Sequence, residues 1–595
     1  MKRLRRCACL AAIGLMVAAH MSAPDGLAAD PAMLATERDR VAMIERVAPS
    51  VVAIFAASGD GGGSGVLISP DGFALSNFHV TSGSGNFMKC GLNDGTLYDA
   101  VIVGIDPTGD VALLKLLGRD DFPAATMGDS DQVRVGDWEF AMGNPFLLAT
   151  DFHPTVTAGI VSGVHRYQYP AGSILEYADC IQTDASINPG NSGGPLFSAR
   201  GELVGINGRG SFEKRGRVNV GAGYAISINQ IKNFLDHLRG GRVVDHATLG
   251  AVVRTSFDRE VVVDQILELS SAYRRGLREG DEIVSFGGRT IGSANQFKNV
   301  LGIYPDGWKV PLVYRRDGQK HDLMVELRSL HRASELREKP KLPGEEQPKP
   351  KPRPDQPERK PGDAPKPLPD DVHAKPTPVP EQWKHLFEER PGYANYHFNR
   401  LAQQRSLAVF DEFAALKSFA GRWKFSGLTH AEQPFVCTLA EQGLGLKIGN
   451  DGVYFQPLDG TDPVDEPPRT GGLLTALAQF KQMVTAGPQS FSVCEYVGSE
   501  PLDGSGPRCD VLLTQTAQVQ TKWLTRQSDQ RLIGFDTALT RDIDPCEIRF
   551  GETATIDGKP FPSPVTVRSG GAEFGTFRVT AVELSPASAA GKKTP

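Results

Sequence analysis

The sequence predicts a mainly β protein built from several units, and three observations lead to this class. Residues 45–240 are rich in glycine and contain short β-branched runs such as SVVAIFAA and GSGVLIS, separated by turn signals. That pattern is typical of an all-β barrel or sandwich. A proline-rich segment then divides the chain, and residues 420–585 again predict mostly strands. Because a domain holds about 150 residues, a chain of 595 residues needs three or four such units.

The first 29 residues have the pattern of a secretory signal peptide. Basic residues precede the apolar run CLAAIGLMVAA, and small residues follow it in MSAPDGLAAD. The alternative is an uncleaved membrane anchor, which the shortness of the run disfavours, because a spanning helix needs about 20 apolar residues. The sequence therefore predicts secretion across the inner membrane and a location in the periplasm or cell envelope.

The proline-rich segment sets the predicted domain boundaries. Residues 340–380 hold 14 of the 42 prolines, interleaved with charged residues. Such a segment cannot bury a core and is expected to be an extended spacer. The predicted units are a signal peptide at 1–29, a first β domain at 30–240, a smaller domain at 246–330, a disordered linker at 338–380 and a C-terminal helix with a β-rich domain at 381–595.

Five helices are predicted between the strands. Thr36 is the expected cap of a helix over 36–47, with Val41, Ile44 and Val47 on one face. A hairpin is expected to end the second domain. The remaining helices are predicted at 228–239, 294–302, 393–419 and 472–484.

Charge and cysteine content restrict the expected partners and cofactors. The net charge of −6 and the pI of about 6.1 give no reason to expect binding to nucleic acid. The cysteines and histidines lack the spacing of a zinc site, so neither a metal nor another cofactor is expected. An exported protein with an even number of cysteines permits disulfides. Cys90 and Cys180 lie in the first β domain and four cysteines lie in the last domain, where the sequence leaves three pairings open. These four are Cys437, Cys494, Cys509 and Cys546.

The stretch INPGNSGGPLF raises the question of whether Ser192 is a nucleophile or a polar residue in a tight turn. A serine hydroxyl needs a base, usually histidine, and the base needs an acid that holds its tautomer. Of the four histidines in the first β domain, His79 follows a predicted strand. Asp110 directly precedes an apolar run that would hold it at the mouth of a strand, whereas Asp106 is expected to shape the turn. His153, in a loop, is expected to pack or to face solvent.

Three segments, in order, resemble the HtrA (Deg) family of trypsin-like serine proteases. They are GSGVLISPDGFALSNFHV, DPTGDVALLKL and IQTDASINPGNSGGPLF, and the resemblance extends over residues 40–330. It implies a trypsin-like double β-barrel followed by a PDZ domain, in a protein that forms homo-oligomers, as trimers or multiples of trimers. It also implies that His79 is the general base, Asp110 the orienting acid and Ser192 the nucleophile.

The residues next to Ser192 are suited to an oxyanion hole. Pro189 stiffens the loop, and Gly190 can adopt a φ closed to other residues, which turns its N–H toward a substrate carbonyl. The amides of Gly190 and Ser192, with Asn191 between them, are therefore expected to face the developing oxyanion.

The substrate pocket and the gating loops are implied by the resemblance. It places Ile187, Asn207 and Gly208 at the pocket for the residue before the cut, and it implies cleavage after small aliphatic side chains. The loops at 143–154 and 208–220 match those that gate activity in the family.

The segment ATLGAVV matches the family's carboxylate-binding loop, and GLREGDEIVSFGGRTI is similar to its PDZ signature. Leu249, Gly250 and Ala251 are the implied contacts for the C terminus of a peptide that adds as a strand. The sequence departs from the family at 256–270, where charges stand in a strand that is usually glycine-rich and apolar.

The end of the chain predicts consecutive antiparallel strands. These resemble the closing strands of LolA-like half-barrels, which implies contact with lipid, lipoprotein or the cell envelope. Tyr393, Tyr396 and Phe398 form an aromatic cluster on the preceding helix that is expected to pack in a core.

These observations together predict an exported, ATP-independent serine endopeptidase that cleaves unfolded or damaged envelope proteins and binds peptide C-termini at its PDZ groove. Two alternatives stay open. A chaperone or peptide-binding scaffold would protect substrates even without Ser192. A lipid- or lipoprotein-binding protein would carry extractable lipid on residues 381–595.

Overall fold

The computed structural model describes residues 30–55, 62–144, 151–169, 174–188, 190–212, 219–332, 334–337, 379–450, 452–458, 460 and 462–586. The predicted signal peptide, nearly all of the predicted linker, Pro189 and parts of both predicted gating loops lie outside these residues. Within the described part of the chain, no helix is long and apolar enough to cross a membrane. The fold is mainly β, as the sequence predicts.

Helix α1 (Pro31–Val47) leads into the first barrel. It starts before the predicted Thr36, because Asp30 is the N-cap and accepts a hydrogen bond from the Ala32 N–H. Pro31 takes the first helical position, where its missing N–H costs nothing. The predicted apolar face is only partly correct, since Val47 is buried but Val41 is exposed.

Six antiparallel strands close into the first barrel in the order β1-β2-β3-β6-β5-β4. They are β1 (Val51–Phe55), β2 (Gly62–Leu67), β3 (Phe73–Ser76), β4 (Phe87–Gly91), β5 (Leu97–Asp106) and β6 (Val111–Leu116). A one-turn helix, α2 (Phe78–Thr81), follows β3. The apolar run of β6 is buried on both faces, because the barrel core covers one face and a helix covers the other.

The second barrel also has six antiparallel strands, in the order β10-β11-β12-β9-β8-β7. Helix α3, which covers the outer face of β6, follows this barrel. The strands are β7 (Trp138–Gly143), β8 (Thr155–Gln168), β9 (Tyr177–Thr183), β10 (Pro195–Ser198), β11 (Leu203–Phe212) and β12 (Asn219–Ser227). Helix α3 (Ile228–Arg239) has the predicted bounds. It buries Ile231, Phe234 and Leu238 in a core shared by both barrels, which holds the two barrels together.

The next unit has a six-stranded sheet, a separate two-stranded sheet made of its first and last strands, and two helices. Its strands are β13 (Ala247–Thr248), β14 (Ala251–Thr255), β15 (Val261–Ile266), β16 (Glu282–Phe286), β17 (Arg289–Thr290), β18 (Lys309–Arg316), β19 (Gln319–Glu326) and β20 (Arg328–Ser329), with helices α4 (Ser271–Arg274) and α5 (Ala294–Leu301). Strand β14 lies at the sheet edge next to α5. The prediction that charges stand in a strand over 256–270 is partly wrong. Asp258, Arg259 and Glu260 lie in the exposed turn before β15.

The C-terminal unit is an open antiparallel sheet of eleven strands with a separate two-stranded hairpin, β30–β31. The strands are β21 (Trp423–Thr429), β22 (Pro434–Ala440), β23 (Gly443–Ile448), β24 (Val453–Pro457), β25 (Val493–Pro501), β26 (Arg508–Thr516), β27 (Val519–Arg526), β28 (Arg531–Ala538), β29 (Cys546–Phe550), β30 (Thr553–Ile556), β31 (Lys559–Pro562), β32 (Val565–Ser569) and β33 (Ala572–Leu584). The predicted helix over 393–419 is shorter: α6 (Tyr396–Ala408) continues as a 3-10 helix over Val409–Leu416.

Helix α7 (Leu473–Ala486) covers one face of this sheet. Its Phe480 ring is surrounded by the rings of Phe413, Trp423, Phe535 and Phe550, with centroids 5.4 to 6.3 Å away. The apolar cavity left beside α7 has a volume of only about 40 Å³. Aromatic packing therefore fills the space between α7 and the sheet.

The C-terminal unit packs against the barrels at the end of α3. The Asn399 side chain donates to the Gly240 carbonyl at 2.9 Å and to the Tyr496 carbonyl at 2.7 Å. Gly241 has a φ of +73°, and a Cβ there would lie 2.0 Å from the Asn395 carbonyl oxygen. The Phe398 ring contacts Phe73 of the first barrel, so this member of the predicted aromatic cluster packs in the barrel core.

A buried ionic network joins the C-terminal unit to β18. The Lys309 ammonium lies 2.8 Å from Asp536 and 2.7 Å from Glu547, and all three side chains are buried. Burial opposes the charge on Lys309, but the two carboxylates outweigh it and raise its pKa. Arg549 pairs with the other oxygen of Asp536 at 2.6 Å. The indole N–H of Trp308 donates to the Ser499 carbonyl at 2.9 Å.

The six cysteines among the described residues are free thiols, so the disulfides that the sequence permits do not form between them. Burial raises the pKa of each thiol; that of Cys494 reaches about 11. Cys90, Cys180, Cys437, Cys509 and Cys546 contribute to the buried cores instead.

Lys309→Met should weaken the contact between β18 and the C-terminal unit. The substitution leaves the carboxylates of Asp536 and Glu547 without their lysine partner, which typically costs about 3–5 kcal/mol in a buried network. Urea denaturation followed by tryptophan fluorescence measures the loss. The matched control is Lys424→Met, which removes an exposed pair with Glu583. Equal effects of the two substitutions would contradict a buried interdomain network.

Candidate active site

His79 and Asp110 lie together at the seam between the two barrels. His79 is in α2, and Asp110 is in the turn between β5 and β6. The Nδ1 atom of His79 lies 2.7 Å from Oδ2 of Asp110, and the His79 backbone N–H donates to Oδ1 at 2.9 Å. The Asp110 carbonyl accepts hydrogen bonds from the Phe78 N–H and the Asn77 side chain. The carboxylate therefore orients both the imidazole and the start of α2.

The turn that carries Asp110 is itself held by a buried pair. Asp106 accepts hydrogen bonds from the backbone N–H groups of Thr108 and Gly109, the turn-shaping role expected for it. Its second oxygen lies 2.9 Å from Nε2 of His246, which is fully buried in the segment that leads to β13. This contact holds in place the turn that leads to Asp110, whose φ is +58°.

Ser192 is in the loop between β9 and β10, on the second barrel. Its carbonyl accepts a hydrogen bond from the Ser64 N–H of the first barrel at 2.9 Å, so the loop spans the seam. The Ser192 hydroxyl donates to the Gly208 carbonyl at 3.2 Å, and among the described residues no hydrogen bond joins it to His79. In proteins without bound substrate, such contacts are often loose and tighten on binding.

The glycines around Ser192 are required by close approaches. Gly190 has a φ of +103° and Gly193 a φ of +84°, a region that favours glycine. A Cβ on Gly193 would lie 2.2 Å from the Ser64 carbonyl oxygen, and a Cβ on Gly194 would lie 2.2 Å from that of Met142. The loop is therefore pressed against both barrels.

The backbone N–H groups of Gly190 and Ser192 have no hydrogen-bond partner within the described part of the chain. Asn191 between them is buried, and its side chain donates to the Ser186 carbonyl at 3.3 Å. Two free amides next to a serine hydroxyl are what an oxyanion hole requires.

The three predicted pocket residues lie near this loop. Ile187 is buried and packs against Gly223. The Asn207 side chain donates to the Pro195 carbonyl at 2.9 Å, which ties the neighbouring strands together. Gly208 provides the carbonyl that accepts the Ser192 hydroxyl hydrogen bond.

Tyr177, at the start of β9, is a site residue that the sequence analysis missed. Its hydroxyl donates to Oδ2 of Asp110 at 2.6 Å, and the residue is 3% exposed. The only signal in the sequence is a tyrosine at the start of an apolar run, and its partner is 67 positions away. Nothing local links the two residues.

The other histidines of the first unit have separate roles. His153 is exposed beside Asp151. His165 lies 2.7 Å from Asp179, a carboxylate that Arg289 also binds at 2.6 Å. His237 is buried against the Ser499 carbonyl, and burial lowers its pKa to about 4.

The predicted peptide-binding loop precedes the edge strand β14. Leu249 is buried, Gly250 has a φ of +73°, and Ala251 begins the strand. The Gly250 N–H donates to the Thr248 hydroxyl at 3.1 Å. Since β15 pairs with only one side of β14, the other edge of β14 lies beside α5.

Family models match two parts of the chain. The model of the trypsin-like peptidase domain matches residues 63–206, and that of the PDZ domain matches residues 240–327. Both matches end before the C-terminal unit. The two matched parts contain the barrels' seam and the edge strand β14 described above.

Curated relatives cover the same region. The periplasmic serine endoprotease DegP of Escherichia coli (strain K12) is 38% identical over 277 residues, which is 44% of this chain and 56% of that protein. A probable DegP-like periplasmic serine endoprotease of Chlamydia trachomatis serovar D is 35% identical over 279 residues, 44% of this chain and 53% of that protein. The chain spans about half the length of these relatives.

A similar solved structure is the HtrA-type protease AlgW with a tripeptide. It is 32% identical, and the alignment covers 49% of this chain and 96% of that one, with a TM-score of 0.40.

The reactivity of Ser192 should fall with pH as His79 becomes protonated. Burial lowers the pKa of His79. The Asp110 carboxylate, its charged neighbour among the described residues, outweighs burial and raises that pKa above its usual 6.5. A protonated imidazole cannot accept the serine proton. As the pH is lowered, reactivity should therefore begin to fall at a higher pH than it would for a histidine with a pKa of 6.5. The rate of labelling by a fluorophosphonate, with Ser192→Ala as the unlabelled control, measures this. A rate still maximal at pH 4.5 would contradict the role of His79.

Proposed function

The chain belongs to the HtrA family of trypsin-like serine proteases with a PDZ domain, and we propose that it is an exported, ATP-independent serine endopeptidase that cleaves unfolded or damaged envelope proteins. The observation that carries this proposal is the seam. His79 and Asp110 on one barrel are joined at 2.7 Å, and Ser192 lies in the loop of the other barrel that bonds across to Ser64.

The proposed reaction is acyl transfer through a serine ester. The Ser192 hydroxyl turns from Gly208 to His79, which takes its proton as the oxygen attacks the scissile carbonyl. Asp110 keeps the proton of Nδ1 in place and stabilises the imidazolium. The amides of Gly190 and Ser192 bind the oxyanion, and His79 then protonates the leaving amine. Water activated by the same imidazole hydrolyses the ester.

The proposed substrates are polypeptides cut after small aliphatic residues such as Val, Ala or Ile, at a pocket beside Ile187, Asn207 and Gly208. The edge of β14 beside α5 is proposed to bind peptide C-termini through the backbone of Leu249–Ala251. The names of the DegP relatives support a periplasmic location, which export directed by residues 1–29 would give. A homo-oligomer, as a trimer or multiples of trimers, completes the proposal.

The lipid-carrier alternative is not favoured. A carrier needs an interior large enough for an acyl chain, whereas helix α7 and its aromatic neighbours leave a cavity of about 40 Å³, room for only a few water molecules. The C-terminal unit instead contacts both the barrels and the PDZ unit through Asn399 and Lys309.

Ser192→Ala should abolish cleavage of a reduced, unfolded protein by residues 30–595. Loss of the nucleophile typically lowers kcat by about 10⁶-fold. Mass spectrometry of the fragments measures the loss and identifies the residues before each cut. Ser198→Ala, in β10 and away from the seam, is the matched control and should cleave like the wild type.

Three outcomes are informative. Cleavage by Ser192→Ala at the rate of the wild type would disprove Ser192 as the nucleophile. Protection of the unfolded protein by Ser192→Ala without cleavage by the wild type would favour the chaperone alternative. Fragments that end mainly in Lys or Arg would contradict the apolar pocket.

Gly250→Ala should weaken binding of a peptide with a free C-terminal carboxylate. At a φ of +73° a Cβ is strained, and here it would lie 2.8 Å from Cβ of Ser270, so the loop must shift. Fluorescence polarisation with a labelled peptide ending in valine gives the Kd. The matched control is Gly280→Ala, with a φ of +85° and no atom near the added Cβ. If the wild type binds the same peptide with an amidated C terminus as tightly as the free acid, the loop does not bind a carboxylate.

A further inference from the structure

We propose that Tyr177 is a positioning residue of the active site: its hydroxyl holds the Asp110 carboxylate in the orientation that aligns His79. The inference rests on the proposed function and adds a residue to it. Tyr177 does not contact the reacting atoms; it acts through Asp110.

The first argument is the hydrogen-bond accounting of the carboxylate. Asp110 is fully buried, so its oxygens depend on protein donors. Oδ1 accepts from the His79 backbone N–H at 2.9 Å, and Oδ2 accepts from the His79 ring at 2.7 Å and from the Tyr177 hydroxyl at 2.6 Å. Without the hydroxyl, both remaining donors belong to His79. Nothing outside α2 would then fix the rotation of the carboxylate.

The second argument is that this hydrogen bond crosses the seam. Asp110 belongs to the first barrel and Tyr177 to the second, and beside them the Glu176 N–H donates to the Thr108 carbonyl at 2.8 Å. These bonds connect the turn that carries the acid to the barrel that carries Ser192. The relative position of the barrels determines the distance from imidazole to serine, so a contact here acts on that distance directly.

The third argument is the position of the tyrosine ring. A Cβ on Gly208 would lie 2.7 Å from Cε1 of Tyr177, so the backbone of Gly208 lies against the ring. The carbonyl of Gly208 accepts the hydrogen bond of the Ser192 hydroxyl at 3.2 Å. One side chain thus supports the acid with its hydroxyl and the segment facing the serine with its ring.

The strand that carries Tyr177 is fixed from the other side by the PDZ unit. The Asp179 N–H donates to the Asn299 side chain of α5 at 2.7 Å, and the Asp179 carboxylate binds Arg289 at 2.6 Å. Ala178 lies against Gly302. A tyrosine held by neighbours on both sides is suited to hold a carboxylate.

Tyr177→Phe tests the proposal, because it removes only the hydroxyl and keeps the ring that packs on Gly208. We expect kcat per titrated active site to fall about tenfold, the usual effect of losing one hydrogen bond to a charged group, with KM unchanged. The acid limb of the pH profile should move to higher pH. Without the positive end of the hydroxyl dipole, Asp110 attracts the imidazolium more strongly. The matched control is Tyr496→Phe, which removes a part-buried tyrosine–aspartate hydrogen bond of 2.9 Å within the C-terminal unit and should leave kcat unchanged.

A second readout does not depend on cleavage. In the Ser192→Ala chain with labelled histidines, NMR titration gives the midpoint for His79, whose signal is assigned by its loss in His79→Gln. A higher midpoint in the Tyr177→Phe background supports the proposal. An unchanged midpoint together with an unchanged kcat overturns it. An inactive wild type that still shows the midpoint shift would disprove the proposed function alone.

Discussion

The buried carboxylate of Asp110 is the group on which the geometry of the candidate active site depends. A charge with no access to water is stable only when hydrogen bonds replace its hydration. Its donors come from His79 on the first barrel and Tyr177 on the second. Satisfying this one charge therefore orients the imidazole and aligns the barrels, and the serine loop needs glycines because it must then fit into the narrow seam between them.

The C-terminal unit applies the same physics at a larger scale. It meets the barrels through buried amide hydrogen bonds at Asn399 and meets β18 through the buried charges of Lys309, Asp536 and Glu547. Apolar surfaces tolerate sliding, whereas buried charges and amides are satisfied in one arrangement only. The unit thus contacts both the barrels and the PDZ unit, and its own interior is filled.

Local signals predicted the elements with little error where the chain itself supplies the partners. The helix over 228–239 has its predicted bounds because the apolar spacing that defines it is local. The start of α1 was wrong because Asp30, outside the apolar pattern, provides the cap. The composition permits disulfides, but the six thiols among the described residues are free. Phe398 was expected in a core, and only the fold shows that the core is that of the barrels.

The sequence by itself determined that the first unit is all-β and that glycines surround Ser192, because short segments specify turns and strands. The PDZ unit and the candidate roles of His79, Asp110 and Ser192 follow from the order of the segments that resemble the HtrA family. Only the tertiary structure decided which groups satisfy the acid, where the C-terminal unit packs and which glycines are sterically required. Tyr177 and Lys309 have partners far away along the chain. A contact of that kind depends on the packing of whole sheets, and no local pattern of residues records it.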